Sequence, residues 1–276
     1  MKQRKFILQL ALLLAVFVVL FFSPAADPKE KKTQDQAAKE TTPPAIDPEA
    51  VATVKRMETF MQTLSAYSIH ADTETDEVLL AGPKVQFDGT IDGTLQLPNR
   101  LRLTIARDDK DTQEFFYDGS TLTVWIKDRN VWATAPVAPT VGEMLKTVRA
   151  KYDLSFPLDD LLRGATRGEL MDGVTAAIVI GTSLVGGVEC DHLGFHKEGV
   201  DAQLWIEKSD RPLPRKIVIT TLTEPSQPQH SEVLTWDLTP KIDEAMFQFT
   251  PPAGAEKIVF AEPSTQKTPT KEGTDD

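Results

Sequence analysis

Three side chains that could support chemistry lie close together in one predicted strand. Cys190, His192 and His196 are separated by even intervals, so in a β-strand they project from the same face. A thiol and an imidazole can form a nucleophile and base pair, and the same groups can bind a transition metal. Either function needs a third group, for which Asp191 and His70 are the candidates.

A structural role explains the same three residues, because a free cysteine commonly packs as a small apolar side chain and strand histidines commonly face solvent. The chain contains no G-x-S-x-G, G-x-G-x-x-G, P-loop or H-E-x-x-H motif. The acidic pairs fall at predicted turns or strand ends, where solvation explains them. These pairs are Asp108 with Asp109, Asp159 with Asp160, and Glu74 with Asp76 or Glu77. We therefore expect a protein that is not an enzyme and has no metal or cofactor.

Composition narrows the partners of this chain. Its 276 residues include 30 Lys and Arg against 41 Asp and Glu, which gives a formal net charge of −11. An acidic chain is repelled by a phosphate backbone, so nucleic acid is excluded as a partner. The single cysteine excludes an intramolecular disulfide and any zinc site built from several cysteines.

The first 26 residues have the order of an export signal. Lys2, Arg4 and Lys5 precede an apolar run over residues 6–22, and small residues follow it. The run is also as long as the shortest membrane-spanning helices, which need roughly 17 to 25 residues. The segment is therefore either a cleaved signal peptide or a retained inner-membrane anchor. Both alternatives predict that the rest of the chain is periplasmic.

Two segments flank one predicted domain. Residues 27–46 and 262–276 are polar and rich in Pro, Lys, Glu and Thr, a composition that cannot compensate the entropy of ordering. They are predicted to be a disordered linker and a disordered tail. A single domain over residues 47–261 remains.

Three helices are predicted in this domain. Asp47 can cap a helix over residues 48–64, in which Pro48 takes the first position and apolar residues recur at intervals of three and four. Thr140 and Glu143 form a capping box before a helix that extends to Tyr152. Pro157 to Leu162, closed by Gly164, predicts a short third helix.

The remaining segments alternate apolar and polar residues with a period of two, which predicts strands with one solvated face. Gly89 and Gly93 occupy inward positions of the clearest strand, so a bend or the close approach of another element is expected there. The strands are predicted from Tyr67, at 85–97, 101–105, 113–117, 122–126, 131–134, 176–180, 188–196, 202–207, 215–221 and 232–238. This order of elements predicts an α+β fold with helices on one face of a large antiparallel sheet.

Trp125 and Trp205 are out of phase with their aliphatic neighbours, so they are predicted to face away from the main core. Either they form a surface that contacts a partner or membrane, or a bulge or covering loops account for them. Trp132 is predicted to be a core or rim residue.

Several short motifs resemble an uncharacterised bacterial family of predicted periplasmic proteins, domain of unknown function 2092. They are Phe115–Gly119, Gly186–His192, Arg211–Lys216 and Leu234–Leu238. That family is similar in architecture to the LolA and LolB lipoprotein carriers. The resemblance implies a strongly curved antiparallel half-barrel with a few helices on its concave face. It also implies a lipid, an acyl chain or an acylated protein as the partner.

The predicted function is therefore binding of such a partner in a hydrophobic cavity of an exported protein. The alternative is a membrane-tethered periplasmic sensor or regulatory domain that binds an envelope protein. The inward residues expected to line the cavity are Phe87, Ile91, Leu95, Leu103, Ile105, Leu145, Leu204, Ile206 and Trp236.

Overall fold

The computed structural model describes residues 46–80, 82–154, 156, 158, 161–162 and 167–260. The predicted export segment, the linker up to residue 45 and the C-terminal tail lie outside the described residues. Among the helices that are described, none is long and apolar enough to cross a membrane.

Helix α1 spans Pro48–Met61. The N–H of Glu49 donates to Oδ1 of Asp47 at 2.8 Å, so the predicted cap is confirmed. Pro48 fits the first helical position because a proline has no N–H that would lack a partner there. The helix ends at Met61 rather than at residue 64, and Leu64 packs against the core from beyond the helix end.

Helix α2 spans Val141–Tyr152 and begins with the predicted capping box. The hydroxyl of Thr140 accepts a hydrogen bond from the N–H of Glu143 at 3.3 Å and donates to its Oε2 at 3.0 Å. The predicted third helix lies mostly outside the described residues, although Leu161 and Leu162 are helical and buried.

Twelve strands form one curved, open sheet, in the spatial order β12-β6-β5-β4-β3-β2-β1-β11-β10-β9-β8-β7. Every neighbouring pair is antiparallel except β12, which pairs parallel to β6. The strands are β1 Ala66–Val78, β2 Lys84–Gln96, β3 Arg100–Arg107, β4 Lys110–Tyr117, β5 Thr121–Ile126, β6 Val131–Pro136, β7 Val174–Val185, β8 Val188–Lys197, β9 Val200–Glu207, β10 Pro214–Thr221, β11 Gln229–Asp237 and β12 Glu256–Lys257. The predicted α+β fold with a large antiparallel sheet is confirmed. The short strand β12 and a 3-10 helix over Glu244–Phe247 were not predicted.

The main core lies on the concave face of the sheet, which we define as the face that packs against α1 and α2. Cross-strand register aligns Tyr67 with Leu95 and Leu95 with Leu101, and these three side chains are almost fully buried. From the helices, Met57 and Leu145 belong to the same cluster. The opposite face is called the convex face below.

Candidate functional site

A cavity of about 380 Å³ opens on the concave side of the sheet. Strands β8 to β11 form one wall, and the chain between α2 and β7 forms the other. Most of its lining is apolar, as is usual for a small-molecule site. The apolar residues are Phe156, Leu158, Leu161, Leu170, Met171, Val174, Phe195, Val200, Ala202, Leu204, Ile217 and Ile219.

A small polar patch interrupts this lining on the β11 side. Glu232 is only 3% exposed, and His230 is half-buried beside it. Nε2 of His230 lies 3.0 Å from Oε1 of Glu232, and Nδ1 lies 2.8 Å from the hydroxyl oxygen of Thr75. The remaining polar residues that line the cavity are Arg149, Glu169, Asp172, Lys197 and Gln203.

The predicted cavity residues fall into two groups. Leu204 lines the cavity. The others belong to the packed concave face or its edge. Ile91, Leu95, Leu103, Leu145 and Ile206 are at most 2% exposed, while Phe87, Ile105 and Trp236 are half-buried.

The predicted common face of Cys190, His192 and His196 is confirmed, and it is the convex one. Cys190 is fully buried against Trp205 and Val218, and burial raises the pKa of its thiol. His192 stacks on Trp205 instead of contacting the thiol.

The other partners proposed for this group are engaged elsewhere. His196 contacts Asp201 at 2.6 Å, and His70 contacts Asp92 at 2.7 Å. Asp191 of β8 lies on the concave face of the sheet, which packs against α1. There it contacts Arg56 at 3.9 Å and Lys208 at 3.1 Å. In the described part of the chain, no group of three or more His, Cys, Asp or Glu side chains could hold a metal ion. The geometry therefore favours the structural role of Cys190.

In each acidic pair that the structure describes, at least one carboxylate contacts a basic side chain, and Glu74, Asp76 and Glu77 lie within β1. Contacts with Lys110 and then Arg107 lower the pKa of the Glu77 carboxyl, and the contact with Arg107 lowers the pKa of the Asp109 carboxyl. Lys84 lies 2.8 Å from Asp76 and lowers the pKa of that carboxyl in the same way. Asp159 with Asp160 lies outside the described residues.

Trp125 and Trp205 both face away from the main core, as predicted. The ring of Phe249 lies 5.9 Å from Trp125 and 5.4 Å from Trp132, between ring centroids. Trp132 therefore belongs to this convex cluster rather than to the main core. Phe249, in the chain after β11, thus packs against Trp125 and Trp132, whereas Trp205 packs in the small cluster with Cys190.

Sequence analysis did not single out His230 or Glu232. One signal was present, because both residues have the strand parity of Leu234 and Trp236, which are apolar. Polar side chains at two successive inward positions are the exception in a strand that covers a core. The segment around Leu170 forms the other wall of the cavity. Its sequence has no periodic pattern of apolar residues that could have indicated a cavity wall.

Comparison with known proteins gives one family match. The profile described as "Predicted periplasmic protein (DUF2092)" matches residues 50–261. No curated protein matches the chain.

Three of the solved structures with similar folds illustrate the likeness. Lipoprotein LppX of Mycobacterium tuberculosis is 14% identical, with 71% of this chain and 100% of that chain covered and a TM-score of 0.47. LprF of Mycobacterium bovis is 15% identical, with 76% and 99% covered and a TM-score of 0.42. A LolA superfamily protein of Nitrosomonas europaea is 8% identical, with 72% and 97% covered and a TM-score of 0.34. At these identities and TM-scores, the likenesses assign no ligand or partner to this chain.

Proposed function

The chain belongs to the DUF2092 family of predicted periplasmic proteins, and from that premise we propose that it binds a lipid or an acyl chain in the cavity beneath β8 to β11, without catalysis. The family description agrees with the export that residues 1–26 predict. The observation that supports binding most directly is the apolar cavity of about 380 Å³. Ligand sites commonly have volumes of about 300 to 1,000 Å³ and mostly apolar walls.

Burial of hydrocarbon supplies the driving force. Each CH₂ group removed from water contributes about 0.8 kcal/mol before ordering costs. Leu204, Ile217 and Phe195 present aliphatic and aromatic surface to such a chain. The proposal gives Cys190 no catalytic role, because its thiol is buried on the opposite face of the sheet.

Native mass spectrometry of protein purified from the periplasm without detergent tests this function. We expect a stoichiometric lipid that organic extraction removes. Ala202→Phe should reduce the occupancy of this lipid, because Ala202 lines the cavity and the phenyl ring would fill part of its volume. Thr235→Phe is the matched control, since Thr235 is exposed on the convex face of β11. Lipid-free wild-type protein that also fails to take up a fluorescent fatty acid or fatty amine would refute lipid binding.

A second candidate function is a membrane-tethered periplasmic domain that binds a protein. It is favoured by β7, the last strand in the sheet order, where Ile178, Ile180 and Leu184 are 47%, 50% and 71% exposed. An exposed apolar edge strand can pair with a strand of another protein.

A photo-crosslinker at Leu184 in the native envelope tests this alternative. A single defined adduct that Ile180→Lys abolishes would support it, with a crosslinker at Thr235 as the control site. Equal labelling from Leu184 and Thr235 would count against an interface at β7.

A further inference from the structure

The polar patch in the cavity is built from inward residues of two neighbouring strands. Register pairs Thr73 with Glu232 and Thr75 with His230 across β1 and β11. On the other side of β11, Glu232 pairs with Ile217 and His230 pairs with Ile219. The patch therefore lies in one row with the aliphatic side chains that line the cavity.

Hydrogen bonds fix the orientation of the imidazole. An ionised carboxylate only accepts hydrogen bonds, so Nε2 of His230 donates to Oε1 of Glu232 at 3.0 Å. Nδ1 lies 2.8 Å from the hydroxyl oxygen of Thr75, so both ring nitrogens are engaged within the protein. The patch therefore offers the carboxylate of Glu232, rather than the imidazole, to a bound molecule.

Glu232 differs from the other buried glutamates that the structure describes. Glu114 contacts Arg102, and Glu58 accepts a hydrogen bond from the N–H of Leu170 at 3.0 Å. Glu232 has a side chain that is 4% exposed, and His230 is the one partner recorded for it among the described residues. Glu114 therefore stabilises the fold through the Arg102 cation, and Glu58 does so through the backbone N–H of Leu170. Neither of these two glutamates lines the cavity.

The remaining acceptor capacity of Glu232 faces the cavity. A carboxylate offers about four lone-pair positions on two oxygens, and His230 occupies one of them. Since Glu232 lines the cavity, a bound molecule can reach its carboxylate. A buried carboxylate with unused acceptors strongly prefers a charged hydrogen-bond donor to another anion.

We propose that Glu232, oriented by His230, binds the protonated amine head group of an amphiphile whose apolar chain occupies the cavity. This inference rests on the proposed lipid-binding function and adds the chemical class of the ligand. A fatty acid bound in the same orientation is a poorer ligand than the amine, because its carboxylate would lie beside Glu232, although Arg149 and Lys197 also line the cavity.

Three probes with one chain length separate the head group from the chain. Dodecylamine, dodecanol and laurate are titrated into the full protein near neutral pH, below their micelle concentrations, after organic extraction of any bound lipid. Dodecylamine should bind at least about tenfold more tightly than laurate, with dodecanol between them. Equal or tighter binding of laurate would overturn the inference and leave lipid binding intact.

Glu232→Gln tests the residue itself, because it keeps the shape of the side chain and removes its charge. Dodecylamine should lose about tenfold or more in affinity, while dodecanol should change little. Glu224→Gln, at an exposed turn, makes the same charge change away from the cavity and should leave all three affinities unaltered.

The outcomes distinguish the two proposals. An unchanged preference for dodecylamine in Glu232→Gln would overturn the role of Glu232. If the variant does not fold, the order of affinities in the wild-type protein still decides the head-group class. If none of the three probes binds the wild-type protein, the lipid-binding function is wrong and this inference is wrong with it.

Discussion

The imidazole of His192 stacks on the indole of Trp205, with ring centroids 4.0 Å apart and ring planes inclined by 13°. The two residues are cross-strand partners on β8 and β9. Nε1 of Trp205 donates to the hydroxyl of Ser183 at 2.9 Å, which holds the indole in place. Trp205, Val218 and Cys190 form a small buried cluster on the convex face.

Cys190 should therefore react slowly in the folded protein. Burial raises the pKa of its thiol, so little of the nucleophilic thiolate is present near neutral pH. Alkylation by iodoacetamide, followed by mass spectrometry, should be at least about tenfold slower in the native than in the denatured protein. Trp205→Ala should speed the reaction by uncovering the thiol, whereas Trp125→Ala should not. Native labelling as fast as in denaturant would show that the thiol is accessible.

His70 and Asp92 should make the free energy of unfolding depend on pH. Their hydrogen bond, 2.7 Å from Nδ1 to Oδ1, is the main cause that raises the pKa of His70 above its ordinary value of 6.5. Such a raised pKa gives stability that is complete below the unfolded-state value and is lost as pH rises through the folded-state value. The His70 side chain is 43% exposed, so the effect should stay below about 1 kcal/mol.

Asp92→Asn tests this pair. Titration of His70 followed by NMR should give a lower pKa in the variant, and the difference in stability between slightly acidic and slightly alkaline solution should shrink. Asp88→Asn, on the same strand, is the control and should change neither quantity. An unshifted His70 titration in Asp92→Asn would refute the assignment.

Periodicity predicted the elements well because it depends on local geometry alone. The alternation in β2 and the cap at Asp47 require no knowledge of the tertiary structure. The cavity depends on which inward positions the helices leave uncovered. Leu95 and Leu204 both have inward positions and both belong to the buried core, yet Leu204 lines the cavity and Leu95 does not.

The polar patch shows the same limit. Strand parity places Glu232 on the inward face, but only the three-dimensional register brings Thr75 and His230 together over a separation of 155 residues. The wall that includes Leu170 comes from an irregular segment, so no pattern in the sequence indicated it. Sequence reasoning therefore predicted which face of the sheet carries the cavity, and missed the part of that face that is open.

Gly89→Ala should destabilise the protein more than Gly93→Ala. A Cβ on Gly89 would lie 2.6 Å from the carbonyl oxygen of Ala106, which belongs to the backbone of β3 and cannot move easily. A Cβ on Gly93 would meet methyl groups of Ile69 and Leu103 at 3.0 and 3.2 Å, and the nearest backbone atom, the carbonyl oxygen of Arg102, would lie 3.9 Å away. We expect a loss of about 1 to 3 kcal/mol for Gly89→Ala and a smaller loss for Gly93→Ala.

Urea denaturation of the two variants measures this difference. The matched substitution on one strand cancels the change in β-propensity, so the comparison isolates the backbone contact at Ala106. That contact occurs beside a register shift between Ile105 and Arg107. Equal losses in the two variants would show that β3 can relax away from β2.

Phe249→Ala should uncover the convex aromatic cluster. The Phe249 ring contacts Phe116, Trp125 and Trp132, with centroids between 5.1 and 5.9 Å apart. Phe249 is half-buried, so its loss should cost about 1 to 3 kcal/mol of unfolding free energy, less than the cost of removing a fully buried phenylalanine. Exposure of the two indoles should move the tryptophan fluorescence of the folded protein to longer wavelength.

The control for this experiment is Val259→Ala, because Val259 is 89% exposed in the same C-terminal segment. It should leave both stability and fluorescence nearly unchanged. The result decides between the two interpretations of Trp125 that the sequence left open. A fluorescence shift in Phe249→Ala would mean that the chain after β11 covers this tryptophan, as the ring contacts indicate. Unchanged fluorescence and stability would mean that Trp125 is already open to solvent and available to a partner.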